Sequence, residues 1–158
     1  MAHRCILHLV ALLSLLITGC KGQCDSDSRP LHLHATYQSQ VIYSPGYPRH
    51  KYPNNAECAW SIEAEPGLAI RVRVVWMEVE QHITCNYDSL SLYDGRSSYY
   101  PRLARLCSDH GEDYYSSGHR VFLAFQSDSS IADTGFKLEF TAINRWQVPS
   151  TTSSTPIT

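Results

Sequence analysis

The chain has 158 residues, a formal net charge of -2, 43% hydrophobic and 18% charged residues. That length holds one domain with tails, since domains run to about 100–150 residues, and it excludes a (β/α)₈ barrel. The slight acidic excess excludes the concentrated basic face that nucleic-acid binding requires, and ten Tyr against two Met favour strands over helices.

At the N-terminus, Arg4 provides a basic start and Ile6 to Ile17 an apolar run broken only by His8 and Ser14. Such a run spans about 18 Å as a helix, short of the about 30 Å of a bilayer core. Residues 1–22 therefore read as a secretory signal peptide, with cleavage expected after Gly22. Ile17-Thr18-Gly19-Cys20 also fits a lipobox, a weaker signal. Removing this segment takes Arg4, Lys21, Cys5 and Cys20, and leaves 11 bases against 15 acids, a net of -4. Cys24, Cys58, Cys85 and Cys107 remain, and four cysteines in an exported chain read as two disulfides with three possible connectivities.

The middle of the chain is written in period two. Leu31-His32-Leu33-His34 reads as a possible edge strand. It sets two His on one side, but no third ligand accompanies them and they read as solvated rather than zinc-binding. Trp60, Ile62 and Ala64 alternate, as do Leu68, Ile70, Val72, Val74 and Trp76, then Leu90 and Leu92, then Val121, Leu123 and Phe125, then Phe136, Leu138, Phe140 and Ala142. Each series predicts a strand with one buried face. Turn signals separate them at Ser44-Pro-Gly-Tyr-Pro48, Pro53-Asn-Asn55, Pro66-Gly67, Asp94-Gly95 and Ser117-Gly118. The expected fold is all-β, an antiparallel β-sandwich of jelly-roll type. The last ten residues contain seven Ser or Thr and two Pro. They read as an extended tail, either an O-glycosylated stalk or a frayed end.

Several motifs fall in one order: Ser44-Pro-Gly-Tyr-Pro48, Tyr52-Pro-Asn-Asn55, Glu57-Cys-Ala-Trp-Ser-Ile62, Cys85-Asn-Tyr-Asp-Ser-Leu90, Tyr93-Asp-Gly95, Phe125-Gln-Ser-Asp-Ser-Ser130 and Gly135-Phe136. This ordered set resembles the CUB domain, an extracellular module of complement-type and tolloid-type proteases, spermadhesins and neuropilin-type receptors. The resemblance covers residues 24–143 and leaves 144–158 as the tail. It implies the pairings Cys24–Cys58 and Cys85–Cys107. With loops of about 34 and about 22 residues, each bridge would contribute roughly 3–4 kcal/mol. The chain departs from the common family pattern at Asp25, Gln40 and Ser108, where many members carry Gly, and in the added Leu31–His34 stretch.

The resemblance also assigns a metal site. Glu80, Asp88 and Asp128 stand where calcium-binding CUB domains carry their side-chain ligands, with the main-chain carbonyls of Ser130 and Ile131 implied as further ligands and Tyr52 beside them. The chemistry fits, because Ca²⁺ takes six to eight hard oxygen ligands, whereas three converging carboxylates without a cation repel one another. Without the resemblance, the same acids read as solvated loop ends. The implied function is calcium-assisted binding of an extracellular protein that presents Lys or Arg to Tyr52, Glu80, Asp88 and Asp128.

An enzyme is not expected. There is no Gly-x-Ser-x-Gly elbow, no His-Glu-x-x-His site, and no free thiol once four Cys pair. Tyr99-Tyr100 and Tyr114-Tyr115 could be exposed contacts or could pack over loops. His50, His82, His110 and His119 read as surface. The alternatives are an auxiliary ectodomain fragment of a membrane receptor, or a non-catalytic module of a secreted protease.

Overall fold

The computed structural model describes residues 29–108 and 111–150. The expected signal peptide, Cys24, His110 and the Ser/Thr-rich residues 151–158 lie outside these. Within them the alternating series become strands. In chain order these are β1 (Leu31–His34), β2 (Gln40–Tyr43), β3 (Glu57–Glu63), β4 (Leu68–Glu78), β5 (Ser89–Tyr93), β6 (Arg102–Leu106), β7 (Asp113–Tyr115), β8 (Arg120–Gln126) and β9 (Gly135–Asn144), followed by a 3₁₀ turn at Arg145–Gln147. They form two sheets, ordered β1-β3-β8-β5-β6 and β2-β9-β4-β7. The fold is the expected all-β sandwich.

Register explains the core. Cys58, Trp60 and Ile62 of β3 lie opposite Phe125, Leu123 and Val121 of β8, and Leu90 and Leu92 of β5 lie opposite Phe125 and Leu123. All of these are buried. The facing sheet supplies Ile70, Val72 and Val74 from β4 and Phe136, Leu138 and Phe140 from β9. Phe136 closes the interface, meeting Trp60 edge-on at 6.0 Å and Phe125 at 5.2 Å between ring centroids. Each such side chain contributes about 1.5–3 kcal/mol on leaving water. Gly135 permits a close approach nearby. Its φ is +96°, and an added Cβ would fall 1.9 Å from the Ser44 hydroxyl that accepts the Phe136 amide.

Two expectations need correction. Trp76 does not continue the inward series of β4. The register against β9 shifts between Val74 and Trp76, which places Trp76 opposite Lys137 and leaves it 41% exposed, while Met77 turns inward opposite Phe136. A bulge inserts one residue and reverses the faces beyond it, which period counting cannot see. The sandwich is also not wholly antiparallel, because edge strand β1 pairs parallel with β3. His32 and His34 on β1 are exposed, as expected, and His34 lies 3.6 Å from Glu65.

Cys85 and Cys107 are bonded, as the family pairing implied. The Cys24–Cys58 pairing has one end outside the described residues. The tyrosine pairs divide: Tyr99 is 97% exposed, whereas Tyr100 lies over Gly95 and Tyr114 packs against the core. His50, His82 and His119 are exposed or half-buried, as expected of surface residues. Among the described residues, no helix is long and apolar enough to cross a membrane.

Candidate functional site

Strand order brings the three acids to one end of the sandwich. Strands β5 and β8 are antiparallel neighbours with Ser89 opposite Gln126, so Asp88, just before β5, lies beside Asp128, just after β8. Strand β4 ends opposite the start of β9, Glu78 against Gly135, and the 127–134 loop joins β8 to β9 across that same end. Glu80, two residues beyond β4, completes the group. One carboxylate oxygen from each of Glu80, Asp88 and Asp128 lies within 4.8 Å of the others.

Asp88 is the fixed centre. It is fully buried, and both of its oxygens accept a hydrogen bond: Oδ2 from the Tyr52 hydroxyl (2.6 Å) and Oδ1 from the Asp128 amide (2.7 Å). A carboxylate oxygen has two lone-pair directions, so each still has one to offer. The Tyr52 hydroxyl also accepts the Glu80 amide (3.0 Å), tying the Glu80 segment to Asp88 through one phenol. Burial, then the bond to Asp88, raises the Tyr52 pKa well above the ordinary phenol value, so Tyr52 donates at every physiological pH. Its ring meets Phe125 edge-on at 5.2 Å, which fixes the phenol from the core side.

Asp128 is shaped by its own loop. Its Oδ1 accepts the Ser130 amide (2.7 Å) and hydroxyl (3.2 Å), and its carbonyl accepts the Asn55 amide (2.6 Å). The 51–55 segment laces this loop further. The Tyr52 amide donates to the Asp133 carbonyl, the Lys51 amine to that of Ala132, and the Asn54 side chain to that of Ser129. Ile131 sits at φ +44°, a left-handed conformation rare for a β-branched side chain, and is 68% exposed. Packing of its own side chain does not hold it there; the loop's lacing does. Apart from Tyr52, these anchoring residues were missed in the sequence, because their bonds run to main-chain atoms that the residue letters do not mark.

Glu80 carries the electrostatic imbalance. Its pKa is raised, first by partial loss of solvent and then by Asp128 and Asp88, with His82 opposing. Its Oε2 is shielded from solvent with no hydrogen-bond partner. Among the described residues, no ion pair involves any of the three acids, the four found being His34–Glu65, Arg73–Asp113, His119–Glu63 and Arg120–Glu63. Three carboxylates, one of them buried and one with an orphaned oxygen, make an all-oxygen donor set suited to a cation. Oxygen-only ligation suits Ca²⁺ or Mg²⁺ and not the softer metals.

The CUB domain family model matches residues 31–140. The chain belongs to the CUB domain family. CUB domains are extracellular protein–protein interaction modules, and the domain is non-catalytic in the relatives found. The chain is 35% identical to pig cubilin over 132 residues and 40% identical to human tolloid-like protein 1 over 118 residues, covering 81% and 74% of this chain. It spans only 3% and 11% of those relatives' lengths, which are far longer proteins. Among solved structures, the MASP-1 CUB2 domain bound to Ca²⁺ is 25% identical with a TM-score of 0.58, covering 68% of this chain and 96% of that one. The CUB1-EGF-CUB2 region of human MASP-1/3 is 27% identical with a TM-score of 0.61, covering 67% of this chain and 42% of that one. The MASP-1 CUB2 neighbour binds Ca²⁺, and this chain gathers three carboxylates at one end of the same fold.

Proposed function

We propose that this chain is a secreted or receptor-derived CUB module that binds an extracellular protein with the help of one Ca²⁺. Glu80, Asp88 and Asp128 hold the ion through side chains, and Ser130 and Ile131 through main-chain carbonyls. The observation that carries the reading is the convergence of three carboxylates around a fully buried Asp88 with no protein cation to balance them. The resemblance to a Ca²⁺-bound CUB domain supports it. A bound ion supplies positive charge that quiets the mutual repulsion of the carboxylates and fixes the loops after β4 and β8. This chain's own groups do the rest. Tyr52 and the Asp128 amide hold Asp88, and the outer carboxylate oxygens of Glu80 and Asp128 meet a Lys or Arg of the partner.

Such an ion pair confers orientation and a salt-sensitive affinity. The sequence is consistent with the same reading, since residues 1–22 carry a signal-peptide pattern and the residues that follow the 3₁₀ turn carry the Ser/Thr/Pro composition of a stalk. The same module fits equally within a longer receptor or secreted protease, since it matches only 3% and 11% of the lengths of its relatives.

Thermal unfolding with calcium and with chelator tests the metal. An ion that binds only the native state at a hundred times its dissociation constant adds about 2.7 kcal/mol, so the midpoint must rise. An unchanged midpoint at millimolar calcium defeats the proposal. A pull-down from extracellular extract with and without chelator then identifies the partner.

A further inference from the structure

A cleft opens beside the acidic end on the outer face of the five-stranded sheet, with a volume of about 280 Å³, lined by Asn55, Glu57, Tyr87, Gln126, Ser127 and Asp128. Its placement follows from register, since Glu57 and Ser89 both pair with Gln126, so three strands meet at its base. The floor is rigid. The Ser127 hydroxyl donates to the Pro53 carbonyl (2.8 Å) and accepts the Ala56 amide (2.8 Å), and is committed to the fold.

The walls are not committed. The Glu57 side chain is exposed and makes no ion pair or hydrogen bond among the described residues, and neither does that of Gln126. Tyr87 is 48% exposed, and its ring meets that of His82 at 4.5 Å between centroids in a tilted, edge-type contact. An exposed carboxylate without an ion pair and a half-exposed aromatic ring line one space, with Asp128 at its edge, and together they describe a receptor for a flat cation. A guanidinium can stack on the ring and fork to the carboxylate together, which an ammonium cannot.

We propose that this cleft is a second subsite that takes an arginine of the bound partner, with Glu57 and Tyr87 as its specificity-determining residues. Asp128 lines both the cleft and the acidic end, so the two subsites adjoin, and the partner presents two basic residues close together. The inference rests on the proposed function for the first of those residues and adds the identity of the second.

The test is an NMR titration of the calcium-loaded chain with N-acetyl-arginine methylamide and, separately, the lysine analogue. Resonances of Glu57, Tyr87 and Gln126 should move with the arginine probe, which should bind about threefold tighter than the lysine probe. Glu57→Gln should weaken arginine binding by about threefold, the scale of one exposed ion pair, and Tyr87→Leu by a similar factor. Both variants should retain the calcium-induced rise in melting temperature. The proposal fails if the two probes bind alike, or if neither substitution changes arginine affinity in a protein whose spectrum shows an intact fold. Arginine binding that persists in a chain showing no calcium response would defeat the metal reading and leave the cleft standing. A calcium response without arginine selectivity would do the reverse.

Discussion

The centre of the sandwich and its acidic end are built on opposite terms. Around Trp60, apolar side chains from both sheets pack on one another and strand pairing takes up the backbone groups, the indole N–H of Trp60 being the one buried side-chain donor there without a partner among the described residues. At the acidic end the hydrogen bonds are equally well made, yet three carboxylates are left without a counter-charge. The centre is held by apolar packing, whereas the end is ordered by hydrogen bonds around a concentration of like charge. A fold can thus pre-position a site without making it self-sufficient, and the two regions should respond differently to mutation and to solvent.

The largest effect belongs to the centre. Trp60→Ala should destabilise by about 3–5 kcal/mol in denaturant unfolding, equally with calcium and with chelator, since the cavity lies among Leu123, Phe136 and their neighbours. A calcium-dependent loss would break the distinction between the two regions. Next comes Asp88→Ala, which strands the Tyr52 hydroxyl and the Asp128 amide. At about 1–3 kcal/mol for each buried group left unpaired, it should weaken the fold even in chelator, and it should also abolish the calcium response. A loss seen only in calcium would mean that Asp88 acts as a ligand and not as a structural tie.

A smaller change, of opposite sign, is expected from Ile131→Gly. Relieving a left-handed β-branched residue should stabilise by about 1 kcal/mol, and calcium binding should survive because only the main chain of Ile131 is implicated. The smallest is at Glu80. A carboxyl whose pKa is raised on folding binds more protons in the native state, so its contribution is fully present below the unfolded value of 4.5 and is lost as pH rises through the folded one. Glu80→Gln should therefore make the calcium-free domain melt no lower than the parent at pH 7 and flatten its stability against pH just above 4.5. A pronounced drop at pH 7 would show that Glu80 supports the fold directly.

Much of the sandwich was readable because period two is a direct image of a half-buried strand. Trp60, Ile62, Leu123, Phe125 and Phe136 all face inward as their spacing predicts. Trp76 was misread because a bulge leaves no mark on composition, and the parallel β1–β3 pair because neighbouring strands carry the same pattern in either direction. The acids were reached through the ordered family motifs and not through their own spacing, since Glu80, Asp88 and Asp128 meet only after β5 and β8 are paired. Glu57 and Tyr87 escaped notice for that reason too. Nothing in the letters places residue 57 beside residue 126 until the register is known.

The two hydrogen bonds on Asp88 also bear on ion size. Ligand atoms within 4.8 Å of one another fit about a Ca²⁺, whose oxygens at about 2.3–2.6 Å span up to about 5.2 Å, while Mg²⁺ requires its ligands to close within about 4.2 Å. With Tyr52 and the Asp128 amide holding Asp88 in place, any such contraction falls on Glu80, whose Oε2 has no hydrogen-bond partner among the described residues. The corner is thus fixed on its Asp88 side and adjustable on its Glu80 side.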